Sequence, residues 1–111
     1  VERLAYEKAS EIGLSAGNEI FTSGGACRSD EWLRIRASIL DKSLKVPMIV
    51  DAAMGSAMLA ASKSFFNSLE EAAESMISFK KTIYPVKEKV KEYDELYQEF
   101  YMQCKSRFKL R

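Results

Sequence analysis

Residues 19–50 run strand, turn, helix, strand, and that order restricts the chain to few folds. Glu19-Ile20-Phe21-Thr22 reads as a strand that extends to Ser23. Ser29-Asp30-Glu31 then opens a helix: Ser29 is placed to cap it, and Asp30 and Glu31 offset the positive end of its dipole. Trp32, Leu33, Ile35, Ile39 and Leu40 give this helix a strong apolar face, and Asp41-Lys42-Ser43 ends it. Lys45-Val46-Pro47-Met48-Ile49-Val50 forms the second strand, with Pro47 near its start, where a missing donor is tolerated. Two strands joined by one helix are expected to lie parallel with a right-handed crossover.

Between the first strand and its helix lies Thr22-Ser23-Gly24-Gly25-Ala26. A strand that turns through two glycines into a helix start presents bare backbone to solvent, and bare backbone is where nucleotides dock. Glycine turns also serve ordinary packing, so the flanking segments decide how far the signal reaches.

A first helix carries Leu4, Ala5, Lys8, Ala9 and Ile12 on one side and stops at Gly13. A third runs from about Ala52 to Ser62; Ala53, Ala57 and Ala61 recur every four positions and are expected to pack against the sheet. Asn67 or Ser68 caps a fourth, whose buried side is expected to run from Leu69 through Ala72, Ala73, Met76 and Ile77 to Phe79, with Lys80 and Lys81 at its C-terminus. Tyr84-Pro85 breaks the chain. The last helix, about Val86 to Phe108, spaces Val86, Val90, Tyr93, Tyr97, Phe100, Cys104 and Phe108 by threes and fours. The fold class is therefore α/β, a short parallel strand pair with about five helices. Two parallel strands rarely make an independent core, so the chain reads as the second half of a domain. Aromatic side chains left uncovered in such a piece favour self-association into a homo-oligomer.

The remaining composition mainly excludes. Net charge is +1, against a dedicated nucleic-acid binder; an acidic excess in residues 1–79 is balanced by a basic one in 80–111. Lysines of the last helix interleave with Glu88, Glu92, Asp94, Glu95 and Glu99, as on a solvated face. There is no histidine, which removes every Ser-His or Cys-His nucleophile and the commonest metal ligand. Cys27 and Cys104 form no metal or redox motif; two reduced thiols of a cytoplasmic protein are expected, a disulfide being the alternative. The longest apolar stretch, Pro47 to Ala61, is interrupted by Asp51 and is too short to span a bilayer; no leader is read at the N-terminus. Asp30, Asp41, Asp51 and Asp94 stand singly, so neither a catalytic nor a metal-binding residue is expected. A dinucleotide fingerprint would need Gly-x-Gly-x-x-Gly, and its third glycine is missing.

Taken in order, Thr22-Ser23-Gly24-Gly25-Ala26-Cys27-Arg28-Ser29-Asp30-Glu31-Trp32, then Met54-Gly55-Ser56-Ala57-Met58-Leu59-Ala60-Ala61, Ser68 to Ala72, Pro85 and Tyr93-Asp94-Glu95-Leu96-Tyr97 resemble the C-terminal end of the FGGY family of carbohydrate kinases. The resemblance covers nearly the whole chain, residues 1–111. It implies part of an actin-like, ribonuclease-H-like ATPase domain whose catalytic lobe lies elsewhere. It implies that Gly24, Gly25 and Ala26 border the adenine and ribose of ATP, with Ser29 near the base; Ser29 is equally a helix cap, and both roles can coexist. It implies ATP and Mg²⁺ as cofactors of the whole enzyme and a sugar or polyol substrate held mainly by another lobe. Two positions depart from the family pattern: Val50 stands where a glutamate is common, and Ser38 where an aspartate is common. No part of the chain matches the family's catalytic aspartate or phosphate loops, so this piece alone is expected to be inactive. A non-catalytic helical interaction module is the alternative reading.

Overall fold

The computed structural model describes residues 1–108. In chain order the elements are α1 (Glu2–Glu11), β1 (Glu19–Phe21), a 3₁₀ turn (Gly25–Arg28), α2 (Asp30–Leu40), β2 (Ser43–Pro47), α3 (Ala52–Ser64), α4 (Leu69–Met76), β3 (Phe79–Ile83) and α5 (Lys87–Phe108). β1 and β2 are parallel, pairing Glu19 with Ser43, Ile20 with Leu44 and Phe21 with Lys45, as the strand–helix–strand order requires. The Thr22 N–H continues that ladder to the Lys45 carbonyl at 3.0 Å.

A third strand replaces the expected end of the fourth helix. α4 stops at Met76, and Phe79-Lys80-Lys81-Thr82-Ile83 pairs antiparallel with β2 in a sheet of order β1-β2-β3. Lys80 and Lys81 therefore lie on a strand and not at a helix C-terminus. The second strand is also displaced: it begins at Ser43 and ends at Pro47, so that proline is its last residue. Pro47 has no N–H to offer, the register shifts between Val46 and Pro47, and the next donor, Met48 N–H, bonds the Ser78 carbonyl at 2.8 Å instead.

The core lies between one face of this sheet and α2. Ile20, Leu44, Val46 and Ile83 point to that side and cluster with Cys27, Leu33, Ala37 and Leu40, while Tyr6 and Val50 pack on the edge. Ser38, also buried, donates to the Arg34 carbonyl at 2.8 Å and accepts from the Val86 N–H at 3.1 Å, anchoring the start of α5 on α2. Ser38 thus holds a local backbone contact between α2 and the start of α5.

α1 is tied down by charge. Arg3 donates to Asp94 of α5 at 2.6 Å and to Glu7 at 3.1 Å, and its guanidinium lies 4.0 Å from the centre of the Tyr97 ring. The Tyr97 hydroxyl donates to Glu7. Burial, reinforced by that bond, raises the pKa of the phenol above its ordinary range. The Ser29 cap forms as expected, accepting from Trp32 N–H at 3.2 Å, and of the two candidates for α4 it is Ser68, not Asn67, that caps, accepting from Glu71 N–H at 3.1 Å.

The other sheet face is uncovered. Phe21 is 67% exposed and stacks on Phe79 at 5.3 Å between ring centres, with Lys45 Nζ 5.5 Å from the Phe79 centroid. α3 packs on α4. Its small-residue face does not bury against the sheet as expected: Ala53 and Ala57 are exposed and only Ala61 is half-buried. The radius of gyration is 16.9 Å, where a compact chain of this length has about 13 Å. Toward the distal end of α5, Met102 and Phe108 are exposed.

Candidate functional site

The end of β1, the 3₁₀ turn and the N-terminus of α2 build the site. Thr22 is buried and braces it from below. Its hydroxyl accepts from Arg36 Nη1 at 2.8 Å and lies 3.5 Å from the buried thiol of Cys27. Arg36 in turn grips the Glu2 carboxylate at 3.0 and 2.7 Å; that pairing raises the guanidinium pKa despite the burial that opposes it. Both cysteines are free, and Cys27 is enclosed beneath the turn.

The glycine pair divides into two different jobs. Gly24 has φ +89° and ψ 179°, a region essentially closed to residues with a side chain. It is held on both sides: its N–H bonds the Val50 carbonyl at 2.8 Å and its carbonyl accepts from Cys27 N–H at 3.1 Å. Gly24 thus pins the end of β1 to the β2–α3 connection. Gly25 has no positive φ, and a Cβ built on it would meet nothing within 4 Å. Neither backbone strain nor crowding inside the chain requires a glycine there. What it leaves is open space over exposed backbone, beside the exposed Ala26. Among the described residues, no acceptor meets the N–H groups of Gly25 and Ala26.

Ser29 is exposed and its oxygen is occupied as the α2 cap, with Glu31 Oε2 3.5 Å away. The N-terminus of α2 is already neutralised. Asp30 and Glu31 occupy its first turn, and Asp30 pairs with Lys81 of β3, which holds its carboxyl below the ordinary value of 3.8. A phosphate gains little at a helix end carrying two carboxylates. The arrangement suits an uncharged, flat group better than an anion.

Beside the turn, on the uncovered sheet face, lies an apolar groove of about 680 Å³. It is lined by Phe21, Ser23, Met54, Met58, Ile77 and Phe79 among others. The groove is not legible in the sequence because its wall joins separate segments: the end of β1, the β2–α3 connection, α3, α4 and Phe79 of β3. Among the described residues, no three His, Cys, Asp or Glu side chains gather as metal ligands, and no helix is long and apolar enough to cross a membrane.

The comparisons with known proteins converge on one group. The family described as "FGGY family of carbohydrate kinases, C-terminal domain" matches residues 2–64. A xylulose kinase of Bacillus subtilis (strain 168) is 36% identical over 98 residues, covering 84% of this chain and 20% of that protein. A xylulose kinase of Staphylococcus xylosus is 32% identical over 82 residues, covering 72% of this chain and 17% of that protein. The crystal structure of a ligand-bound xylulose kinase from Lactobacillus acidophilus superposes with a TM-score of 0.73 at 18% identity, over 94% of this chain and 22% of that one. That likeness shows the fold, an α/β piece of the actin-like ATPase architecture. The chain spans about a fifth of the length of the relatives it matches.

Proposed function

Because the chain belongs to the FGGY family of carbohydrate kinases, we propose that residues 1–111 are the C-terminal portion of that family's C-terminal domain and supply one wall of an adenosine site. In the whole enzyme, ATP provides the γ-phosphate, with Mg²⁺, for transfer to a hydroxyl of a sugar or polyol. This portion holds the nucleoside end: backbone of Gly24, Gly25 and Ala26 borders adenine and ribose, and Ser29 sits at the edge of the base while capping α2. The observation that carries the reading is Gly25, a glycine that nothing inside the chain requires and whose missing side chain leaves room for a flat ring.

The same reading assigns the remaining chemistry elsewhere. Among the described residues no carboxylates converge to hold Mg²⁺. The α2 N-terminus, with its two acidic residues, is poorly suited to clamp phosphates. Phosphoryl transfer needs both of these together with a positioned base, so the portion alone is inactive. The uncovered sheet face is where the rest of the domain packs; in isolation that face favours a homo-oligomer. The reading carries a cytoplasmic setting, where ATP is supplied; two free thiols are compatible with it.

The test is the full-length protein with ATP, Mg²⁺ and a panel of ketoses, polyols and sugar acids, xylulose first because two relatives bear its name. Acceptor-dependent ADP release with at least one of them is expected. An intact fold that neither binds nucleotide nor phosphorylates any acceptor would overturn the reading.

A further inference from the structure

The turn carries a charged side chain for which neither the fold nor the adenosine wall has yet given a use. Arg28 is the last residue of the 3₁₀ turn and is exposed. Arg3 is held by Glu7 and Asp94, and Arg36 by Glu2 and Thr22. Among the described residues, by contrast, no hydrogen bond, ion pair or ring contact holds Arg28. The two carboxylates that follow it in sequence have other partners: Asp30 is engaged by Lys81, and Glu31 lies against Ser29.

A 3₁₀ helix has three residues per turn, so side chains at i and i+3 eclipse on one face. Gly25 and Arg28 are such a pair. Cys27, between them, turns inward to the core. A Cβ at Gly25 would meet nothing within 4 Å, and the i, i+3 spacing puts Arg28, a long side chain ending in a planar, delocalised cation, on the same face of the turn. A flat aromatic ring stacks about 3.5 Å from the group on each of its faces, so to enclose one the guanidinium must fold over at about 7 Å from the Gly25 backbone.

We propose that Arg28 is a base-binding residue: its guanidinium folds over the face of a purine lying on the Gly25 backbone, closing the ring between backbone and cation. The inference rests on the nucleotide reading above and goes beyond it. It assigns affinity for the base to a side chain, where the glycine turn supplies only shape. A stacked guanidinium tolerates any purine, so Arg28 adds affinity without choosing adenine over guanine; choice falls to groups at the base edge. The alternative use of a free arginine is a phosphate, and the two differ in which part of the nucleotide feels its loss.

The experiment measures Kd for adenosine and for ADP on the full-length protein, for wild type, Arg28→Ala and Arg28→Lys, with melting temperatures in parallel. Arg28→Ala is expected to weaken adenosine and ADP by the same factor, about three- to tenfold for loss of a partly desolvated cation–π contact. Arg28→Lys should fall between, because it keeps the charge and loses the plane. KM for ATP should rise by the same factor with kcat little changed, and melting should not move. ADP weakened while adenosine is not would mean a phosphate contact and overturn the proposal; so would no change in either. Lysine binding as well as arginine would overturn the stacking geometry. Wild type that binds neither ligand would instead overturn the nucleotide site itself.

Discussion

The two faces of one three-stranded sheet have opposite fates. Toward α2, Leu33 and Leu44 are fully enclosed and Ile20, Val46 and Ile83 nearly so. On the other side, Phe21 and Phe79 stack in the open, 67% and 45% exposed. Alternation along each strand sends Ile20, Leu44 and Val46 to the face that packs on α2, and Phe21 with the Glu19–Lys45 ion pair to the other. A soluble domain does not ordinarily leave stacked aromatic rings beside a groove of about 680 Å³ without a use for them. The closed face fixes the turn in place, and the open face is where something else must arrive.

The largest test of that contrast is truncation on each side. Leu33→Ala or Leu44→Ala removes an enclosed side chain and should lower the unfolding free energy by about 2–5 kcal/mol in a urea titration. Phe21→Ala in the 111-residue chain should change it by less than about 1 kcal/mol, since most of the ring is already in water. In the full-length protein the same phenylalanine should behave like a core residue. Equal and small losses in both settings would mean that nothing packs on this face.

The glycine pair splits the contrast within two residues. Gly24→Ala forces a side chain into a region reserved for glycine and should cost about 1–3 kcal/mol. Gly25→Leu should leave stability within about 0.5 kcal/mol, because its side chain enters open space. It should nevertheless raise KM for ATP at least about tenfold, equivalent to ~1.4 kcal/mol of lost binding. Equal stability losses at both positions would show that Gly25 is structural after all.

Sequence alone made the parallel pair, the helix between its strands and the Ser29 cap legible, and narrowed the α4 cap to Asn67 or Ser68, because each rests on local chemistry. Ser29 must meet the Trp32 N–H wherever α2 begins, and one helix between two short strands forces a crossover. β3 was not legible: Ala72, Ala73, Met76 and Ile77 keep a helical spacing that Phe79 continues, so the period hid the break after Met76. Pairing with β2 overrode the spacing, a non-local contact no window of residues contains. The outward face of Ala53 and Ala57 was misread for a similar reason, since α3 leans on α4 and small side chains do not declare a partner. At the site, the glycines were visible as a pair, yet their division needed φ at Gly24 and free space at Gly25. Nothing in the sequence around Arg28 gives it a role; what marks it is that, among the described residues, no contact holds it.

α2 serves the closed face twice, once through its leucines and once through Ser38. Ser38→Ala strips the acceptor from the Val86 N–H at the foot of α5. The expected loss is about 1–2 kcal/mol, with faster amide exchange at Val86. Unchanged exchange there would show that α5 is held by the Arg3–Asp94–Tyr97 contacts alone.

The smallest effect is expected where the closed face meets solvent, at the Asp30–Lys81 pair joining α2 to β3. The hydrogen bond from Lys81 holds the Asp30 carboxyl below its ordinary 3.8, so the folded state favours the ionised form. A depressed carboxylate contributes stability above the unfolded value, and that contribution is lost as pH falls through the folded one. Wild type should therefore exceed Asp30→Asn slightly at pH 6, and the gap should close as pH drops below 3.8. It should also narrow in high salt, because the pair is only half-buried and still reached by ions. A gap that persists unchanged in acid would assign the contact to packing at the α2 N-terminus. Charge would then play no part in holding β3 against the helix that supports the turn.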